Sequence, residues 1–366
     1  MARIKYGIFI LLQVVARVAA WPVSGDSSTT SPPSSPSSGS DPTPGYLQVI
    51  LESRFKLGPT KALIDTWQNH WITSADFDNM KSLGFNLVRV PFSYRNFKWS
   101  NGSYINEIDA FSRLDWAVAQ AKSRGMYLVL DFHVWEGQIG QGTSAVHPQC
   151  SARAEVFVIF SQPGAAGQAQ RDLASAIWSL VAEHYKGEPT IAAYDVMNEP
   201  TGSPGDILQI DMYKAIRPYD PDRIIIMESV SANPVSYGWT NVMYSFHEYD
   251  MEGSNFNNNK KTYQSEVGGY IDQSNSFSIP SYVGEFMTTG RTLTWMLQQM
   301  DTSKIWWSGW TYTTVSQGNW GLYNFGSSMD VDVSTDSYAT IMSKWSNMGA
   351  KSVTSIASLY KAGAMA

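Results

Sequence analysis

One pattern recurs along this chain. A short, almost wholly apolar run ends in polar residues, and a stretch of helical periodicity follows. Ile191–Pro200, IAAYDVMNEP, is the clearest instance. Its first half reads as a buried parallel strand, apolar on both faces. Its second half is Asn198-Glu199 and then Pro200, which cannot continue a ladder. A carboxylate at the end of a buried strand is costly unless it has partners or work to do. Alone, such a glutamate reads equally as part of a capping network. A second stretch of the same form, Tyr282–Phe286 or YVGEF, weakens that reading.

The other runs fall into the same alternation. Strands are expected at Asn86–Pro91, Met126–His133, Ile191–Pro200, Arg223–Glu228, Asn241–Tyr249, Ser281–Phe286 and Ile305–Tyr312. Helices are expected at Ser74–Leu83, Ile108–Arg124, Gln168–Lys186, Ile207–Ile216, within 260–275, and at Leu293–Met300 and Ser337–Met348. Thr73 or Ser74 opens the first of these, and Gly125 and Gly187 close the second and third. Repeated βα units imply a parallel sheet with helices outside it. This many units favour an α/β fold closed as a (β/α)8 TIM barrel over an open sheet. Only Tyr46–Phe55 is available as the opening strand, and its alternation is poor, so the first strand is expected to be degenerate or irregular. No GxGxxG or P-loop follows the first strand, which disfavours nucleotide binding.

The 366 residues accommodate one such barrel, residues 45–350. Residues 1–20 look like a secretory signal: Arg3 and Lys5 precede the apolar run Tyr6–Val15, and Val18-Ala19-Ala20 supplies small residues for cleavage. A secreted protein of the cell exterior or wall is therefore expected, with no membrane span. Residues 21–44 are rich in Ser, Pro, Thr and Gly and read as a disordered linker. Residues 351–366 are set apart as a C-terminal tail. The net charge of −6, with no basic patch, argues against nucleic acid. Cys150 is the one cysteine, so no disulfide can form within the chain, and it reads as a neutral thiol. The 14 Trp and 19 Tyr exceed what a core needs. They suit either an aromatic core or a cleft that stacks on sugar rings. A monomer is expected.

The strand ends carry the chemistry. Arg89 lies near the end of one strand and His133 ends the next. Asn198-Glu199 end another. His247 and Tyr249 share a face, two apart. Glu285 and Trp310 end the last two. In a closed barrel these ends converge on one rim. A lone strand histidine is more often a satisfied core residue, but the whole set on one rim suits cleavage of a glycosidic bond. That reaction needs an acid to protonate the leaving oxygen and a second carboxylate across the sugar. Glu199 and Glu285 are the candidate pair. A separation of about 5 to 5.5 Å would mean a covalent intermediate and retention. Arg89 would keep one carboxylate ionised, Asn198 would bind the 2-hydroxyl, His247 and Tyr249 would orient the carboxylates, and Trp310 would be a platform. The charge of Glu285 would raise the pKa of Glu199 so that it holds its proton. His133, Glu199, His247 and Glu285 also read as metal ligands. No HExxH spacing accompanies them, so no metal and no cofactor is expected.

At these residues the chain resembles glycoside hydrolase family 5, a retaining group of β/α-barrel glycosidases. The resemblance runs over about residues 66–346. It implies Glu199 of MNEP as acid/base and Glu285 of VGEF as nucleophile. Around them it implies Arg89 of NLVRVPFSYR, His133 of DFH, Asn198, His247 and Tyr249 of SFHEY, and Trp310 of WSGWTY. HWITSADFDNMKSLGFNLVRVPFSYRNF and WTYTTVSQGNWGLYN look closest to fungal exo-1,3-glucanases and related glucan hydrolases. Tyr46–Phe55 departs from their Arg-Gly-x-Asn-x-Gly-Gly-Trp opening, and the loop VWEGQIGQGTSAVHPQ departs in detail. Trp135 and Glu136 in that loop, and Trp320, are further candidates for sugar contact. A β-1,3- or β-1,4-glucanase is expected, with a polysaccharide as partner. The alternatives are a β-mannanase or other hemicellulase, or an inactive wall-binding protein.

Overall fold

Seven strands run side by side in parallel and in chain order, as the repeated βα units require. The computed structural model describes residues 8–10, 44–99, 101–134, 164–200, 205–249, 255–315, 320–349 and 351–363. The seven strands are β2 (Leu87–Ser93), β3 (Tyr127–Val134), β4 (Ile191–Asp195), β5 (Ile224–Glu228), β6 (Val242–Glu248), β7 (Ser281–Phe286) and β8 (Trp306–Gly309). A short strand β1 (Ile8–Ile10) pairs in parallel with β8, Ile8 opposite Trp307. It also lies against β2, but among the described residues no ladder joins those two. The barrel is thus closed on seven sides, with a short stave at the eighth. That stave falls within the residues read as a secretory leader.

The expected opening strand is a correction. Pro44–Phe55 is a helix, α1, followed by a second helix, α2 (Leu57–Trp71), which the sequence reading did not anticipate. The segment lacks period-2 alternation, and Leu, Glu, Arg and Gln are good helix formers. Leu51 goes into the core. The Arg54 guanidinium donates to the carbonyls of Val333 and Asp336, which ties α1 to a loop late in the chain.

The outer helices obey their apolar stripes. They are α3 (Ser74–Ser82), α4 (Glu107–Ser123), α5 (Ala165–His184), α6 (Gly205–Ile216), α7 (Phe256–Ser265), α8 (Val267–Ser276), α9 (Gly290–Ser303), α10 (Tyr338–Ser346) and α11 (Ala357–Gly363). The single helix expected within 260–275 is two, α7 and α8. In α9, Leu293, Met296, Leu297 and Met300 are buried, the spacing of one helical face. Asn106 caps α4 by accepting from the Asp109 N–H at 3.1 Å. Gly125, at φ +60, ends it in the left-handed region.

The last strand is shorter than expected, Trp306–Gly309 rather than Ile305–Tyr312. Beyond it, β9 (Thr313–Val315), β10 (Tyr323–Phe325) and β11 (Ser352–Val353) make a small separate sheet. The C-terminal residues are docked. Tyr360 is buried among Phe85, Phe286 and Trp307, and Lys351 Nζ lies 2.9 Å from Asp76 Oδ1 at the start of α3. Among the described residues no helix is long and apolar enough to cross a membrane.

Two layers fill the barrel. The lower is apolar: Leu87, Val129, Ala193, Ile226, Met243 and Tyr282. Two residues further along β2 to β5, on the same inward face, stand Arg89, Asp131, Asp195 and Glu228, all buried. The barrel core therefore turns from oil to charge in one step, and the site sits on that charged layer.

Candidate active site

Arg89 is the hub. Its side chain is fully buried and its fork is fully used. Nε lies 2.8 Å from Asp195 Oδ2, Nη1 2.7 Å from Glu285 Oε1, and Nη2 2.9 Å from Asn198 Oδ1 and 3.1 Å from Asp131 Oδ1. A planar guanidinium presents five donors in a rigid fork, so it can serve carboxylates on three strands and the Asn198 amide at once. Asp131 also accepts from His133, Oδ2 to Nδ1 at 2.7 Å. Asp131 and Asp195 hold the hub in place, and the sequence reading gave them no role. Their signal was there: a lone acid in or at the end of an otherwise apolar strand. Burial pushes the Asp195 carboxyl up to about 6, against the pull of Arg89.

Glu285 stands at the top of β7, with a side chain only 5 % exposed. Besides Arg89 it accepts from the Tyr249 hydroxyl, at 2.7 Å to Oε2. Burial and the Glu285 charge beside it hold the Tyr249 phenol well above its ordinary range, so it remains a donor. The ladder between β6 and β7 shifts at Phe246/His247, which sets His247 opposite Glu285. Such a shift re-aims side chains at a barrel rim. Gly284 makes room for the ring: a Cβ there would lie 2.8 Å from His247 Nε2.

Glu199 lies beyond the end of β4, in the left-handed region at φ +44. Its side chain is 39 % exposed, the open counterpart of Glu285. His247 Nδ1 is 2.9 Å from Glu199 Oε1 and 3.6 Å from Glu285 Oε2. A carboxylate oxygen of Glu199 and one of Glu285 lie within 4.8 Å of each other. His247 is buried, which opposes its charge, but Glu228, Glu285 and Glu199 around it outweigh that and push it up to about 10. In turn the hydrogen bond and charge of His247 outweigh burial at Glu199 and hold it down at about 2. This corrects the expectation of a raised Glu199: the neighbouring cation outweighs the neighbouring anion. Between them the two side chains hold one proton, and with no sugar bound it rests on the imidazole.

The aromatic residues line one side. Trp310 stacks on His133, ring centroids 5.3 Å apart and planes 17° apart, and its backbone N–H donates to the Phe286 carbonyl at 2.9 Å. Trp320 comes back to the rim because its carbonyl accepts from the Thr311 N–H at 2.8 Å. Its ring lies 6.1 Å from that of Tyr249. Arg89, His133, Asn198, Glu199, His247, Tyr249, Glu285, Trp310 and Trp320 thus share one rim. Trp135, Glu136 and Cys150 lie outside the described residues. Beside His133 a cavity of about 170 Å³ opens between α2 and α4, lined by Trp67, Trp71 and Trp116 but by neither carboxylate. Glu199, His247 and Glu285 are close enough together to hold a cation. Each is already engaged within the site, by His247, Glu199, Arg89 and Tyr249.

A parallel barrel with two carboxylates facing each other at its C-terminal rim is the framework of a glycosidase. A model of cellulase (glycosyl hydrolase family 5) matches residues 52–324. The chain belongs to that family. A β-xylosidase of Phanerodontia chrysosporium is 29% identical over 200 residues, 52% of this chain and 40% of the relative. A glucan 1,3-β-glucosidase of Kluyveromyces lactis is 28% identical over 151 residues, 40% of this chain and 31% of the relative. An endoglucanase of Paenibacillus polymyxa is 24% identical over 268 residues, 59% of this chain and 62% of the relative. The chain spans less than two thirds of the length of each. Among solved structures, endo-glycoceramidase II of Rhodococcus sp. matches with TM-score 0.54 at 18% identity, over 69% of this chain and 70% of that one. The endoglucanase Cel5A of Thermotoga maritima matches with TM-score 0.51 at 18% identity, over 69% of this chain and 85% of that one. At such identity the likeness is one of fold.

Proposed function

We propose that this protein is a secreted, monomeric O-glycosyl hydrolase that cleaves a β-glucan with retention of configuration. Glu285 attacks the anomeric carbon while Glu199, having drawn the shared proton from His247 Nδ1, passes it to the leaving oxygen. Glu199 then takes a proton from the water that releases the sugar. The observation that carries this reading is the approach of the two carboxylates to within 4.8 Å. That is close to the separation of retaining enzymes, about 5 to 5.5 Å, and too short to admit a water between them as inversion requires. Arg89 and Tyr249 hold Glu285 by both oxygens, which fits a nucleophile that must be ionised and aimed. Asn198, anchored on Arg89, is placed to meet the 2-hydroxyl. Trp310 and Trp320 offer flat faces to the ring.

The choice of glucan rests on the glucan 1,3-β-glucosidase and endoglucanase relatives. The test is incubation of the purified protein with β-1,3-, β-1,4- and β-1,6-glucan, mannan and xylan, following product length and the first-formed anomer by NMR. β-Anomeric product from a glucan is the expected result. α-Anomeric product overturns the mechanism, turnover of mannan or xylan alone overturns the substrate, and no turnover of any glycan overturns the activity.

A further inference from the structure

Glu228 ends β5, is buried, and has no place in the scheme above. Three contacts make it part of a closed ring. Its Oε2 accepts from the backbone N–H of Glu199 at 2.9 Å. Its Oε1 lies 3.4 Å from His247 Nε2. The other nitrogen of that imidazole is the one 2.9 Å from Glu199 Oε1. The ring leaves the Glu199 main chain, passes through Glu228 and His247, and returns to the Glu199 side chain. Glu228 itself is doubly pinned. Its N–H donates to Gln209 Oε1 at 2.8 Å, and its carbonyl accepts from Gln209 Nε2 at 2.8 Å. Gln209 is wholly buried on α6. A helix on the outside of the barrel thus fixes the backbone of Glu228, and Glu228 fixes both halves of Glu199.

We propose that Glu228 is a positioning residue for the acid–base step: one oxygen holds the strained turn that carries Glu199, and the other holds the imidazole that shares the Glu199 proton. The inference rests on the reading of Glu199 as acid/base. A left-handed glutamate persists only where its surroundings over-determine it, and the bond from the Glu199 N–H is such a restraint. Around His247 stand three carboxyls, Glu199, Glu228 and Glu285, with Asp195, Arg89, His133 and Tyr249 beyond them. Burial pushes the Glu228 carboxyl well up, against the pull of His247. When Glu199 gives its proton to the leaving oxygen, it becomes a carboxylate facing the ring. When water attacks the glycosyl intermediate, Glu199 takes a proton from that water, and the pair is restored. Glu228 gains and loses none; it fixes the ring through both steps.

Glu228→Gln keeps the shape and an acceptor for the Glu199 N–H but removes the ionisable carboxyl that raises His247. NMR of protein labelled with ¹⁵N-histidine reads His247 directly, its signal assigned by its loss in His247→Gln. The expected result is a His247 titration lowered by about one pH unit or more in Glu228→Gln. On aryl β-glycosides of graded leaving ability, kcat/KM for poor leaving groups should fall by about 10- to 100-fold. The best leaving groups should be nearly spared, with KM unchanged. An unmoved His247 titration, or equal loss on every leaving group, overturns the proposal. Should Glu228→Gln fail to fold, the unaltered protein still decides: the His247 Nε2 shift must follow the titration of a ¹³C-labelled Glu228 carboxyl, and independent titrations overturn it. A wild type inert towards every glycoside fails the function reading alone, because the NMR result stands apart from turnover.

Discussion

Arg89 Nη1 donates to Glu285 Oε1 at 2.7 Å, across 196 positions of sequence, and the bond is buried. The same guanidinium also pairs with Asp131 and Asp195. Arg89→Met should therefore harm the fold as well as the chemistry, because it strands carboxylates in a buried layer. Breaking a buried pair costs about 3–5 kcal/mol, and urea denaturation of folded Arg89→Met should read a loss of that order. A loss below about 1 kcal/mol would mean that the buried charges are held by something else.

The two glutamates should fail differently. Glu285→Gln should lower kcat by about a thousandfold or more with unchanged circular dichroism, and a slow 2-fluoro glycoside should label Glu285 in the wild type. Glu199→Gln should cost about 10²- to 10⁴-fold on poor leaving groups and far less on activated ones. Azide should restore part of its turnover as glycosyl azide of retained configuration. A label found on another residue would move the nucleophile elsewhere.

Gly284 is a space requirement rather than a turn. A Cβ there would meet Ser245 Oγ at 2.7 Å and His247 Nε2 at 2.8 Å, so both side chains would have to shift. Gly284→Ala should cost about 1–3 kcal/mol as overpacking and displace the ring that faces Glu199. Thermal denaturation and kcat together check it. A variant with wild-type values for both would show that the ring moves aside freely.

Stability should bend with pH at both ends. Folding raises His247 from 6.5 to about 10, so the folded form binds that proton more tightly. Its contribution is complete below about pH 6.5 and is lost as pH climbs through about 10. Folding lowers Glu199 from 4.5 to about 2, so its contribution is complete above pH 4.5 and is lost on acidification towards 2. In denaturant melts across pH, His247→Gln should flatten the alkaline fall and Glu199→Gln the acid one. Parallel curves for wild type and variants would exclude the ring–carboxylate pair as the source.

Ile8–Ile10 cannot be removed as part of a leader and also serve as the stave beside β8. Because secretion is the proposed fate, the intact mass of the exported protein should lack residues 1–20. The shortened protein should melt below the full chain, because the edge of β8 loses its parallel partner. An exported protein of full mass would keep the stave and dismiss the leader. Equal melting of the two forms would mean that the stave adds nothing to stability.

Much of this was legible without coordinates. Ile191–Asp195 and Ser281–Phe286 are strands because a fully buried parallel strand must be apolar on both faces. The polar residues that follow them meet because parallel strands all end at one rim. Asp131, Asp195 and Glu228 carried a weaker signal, one acid in an apolar run, whose meaning appears only when two-residue alternation places them in a layer with Arg89. Tyr46–Phe55 was misread because the fold called for a strand there, while local propensity favoured a helix and prevailed.

The sequence by itself determined the parallel barrel and the order of its seven strands, because hydrophobic period and strand polarity are local properties of the chain. Only the tertiary structure decided the protonation of the rim. Whether Glu199 is pushed up by Glu285 or held down by His247 depends on distances of 4.8 Å and 2.9 Å between groups on different strands. Charge interactions at that range are set by the packing of the barrel, and no pattern along the chain records them.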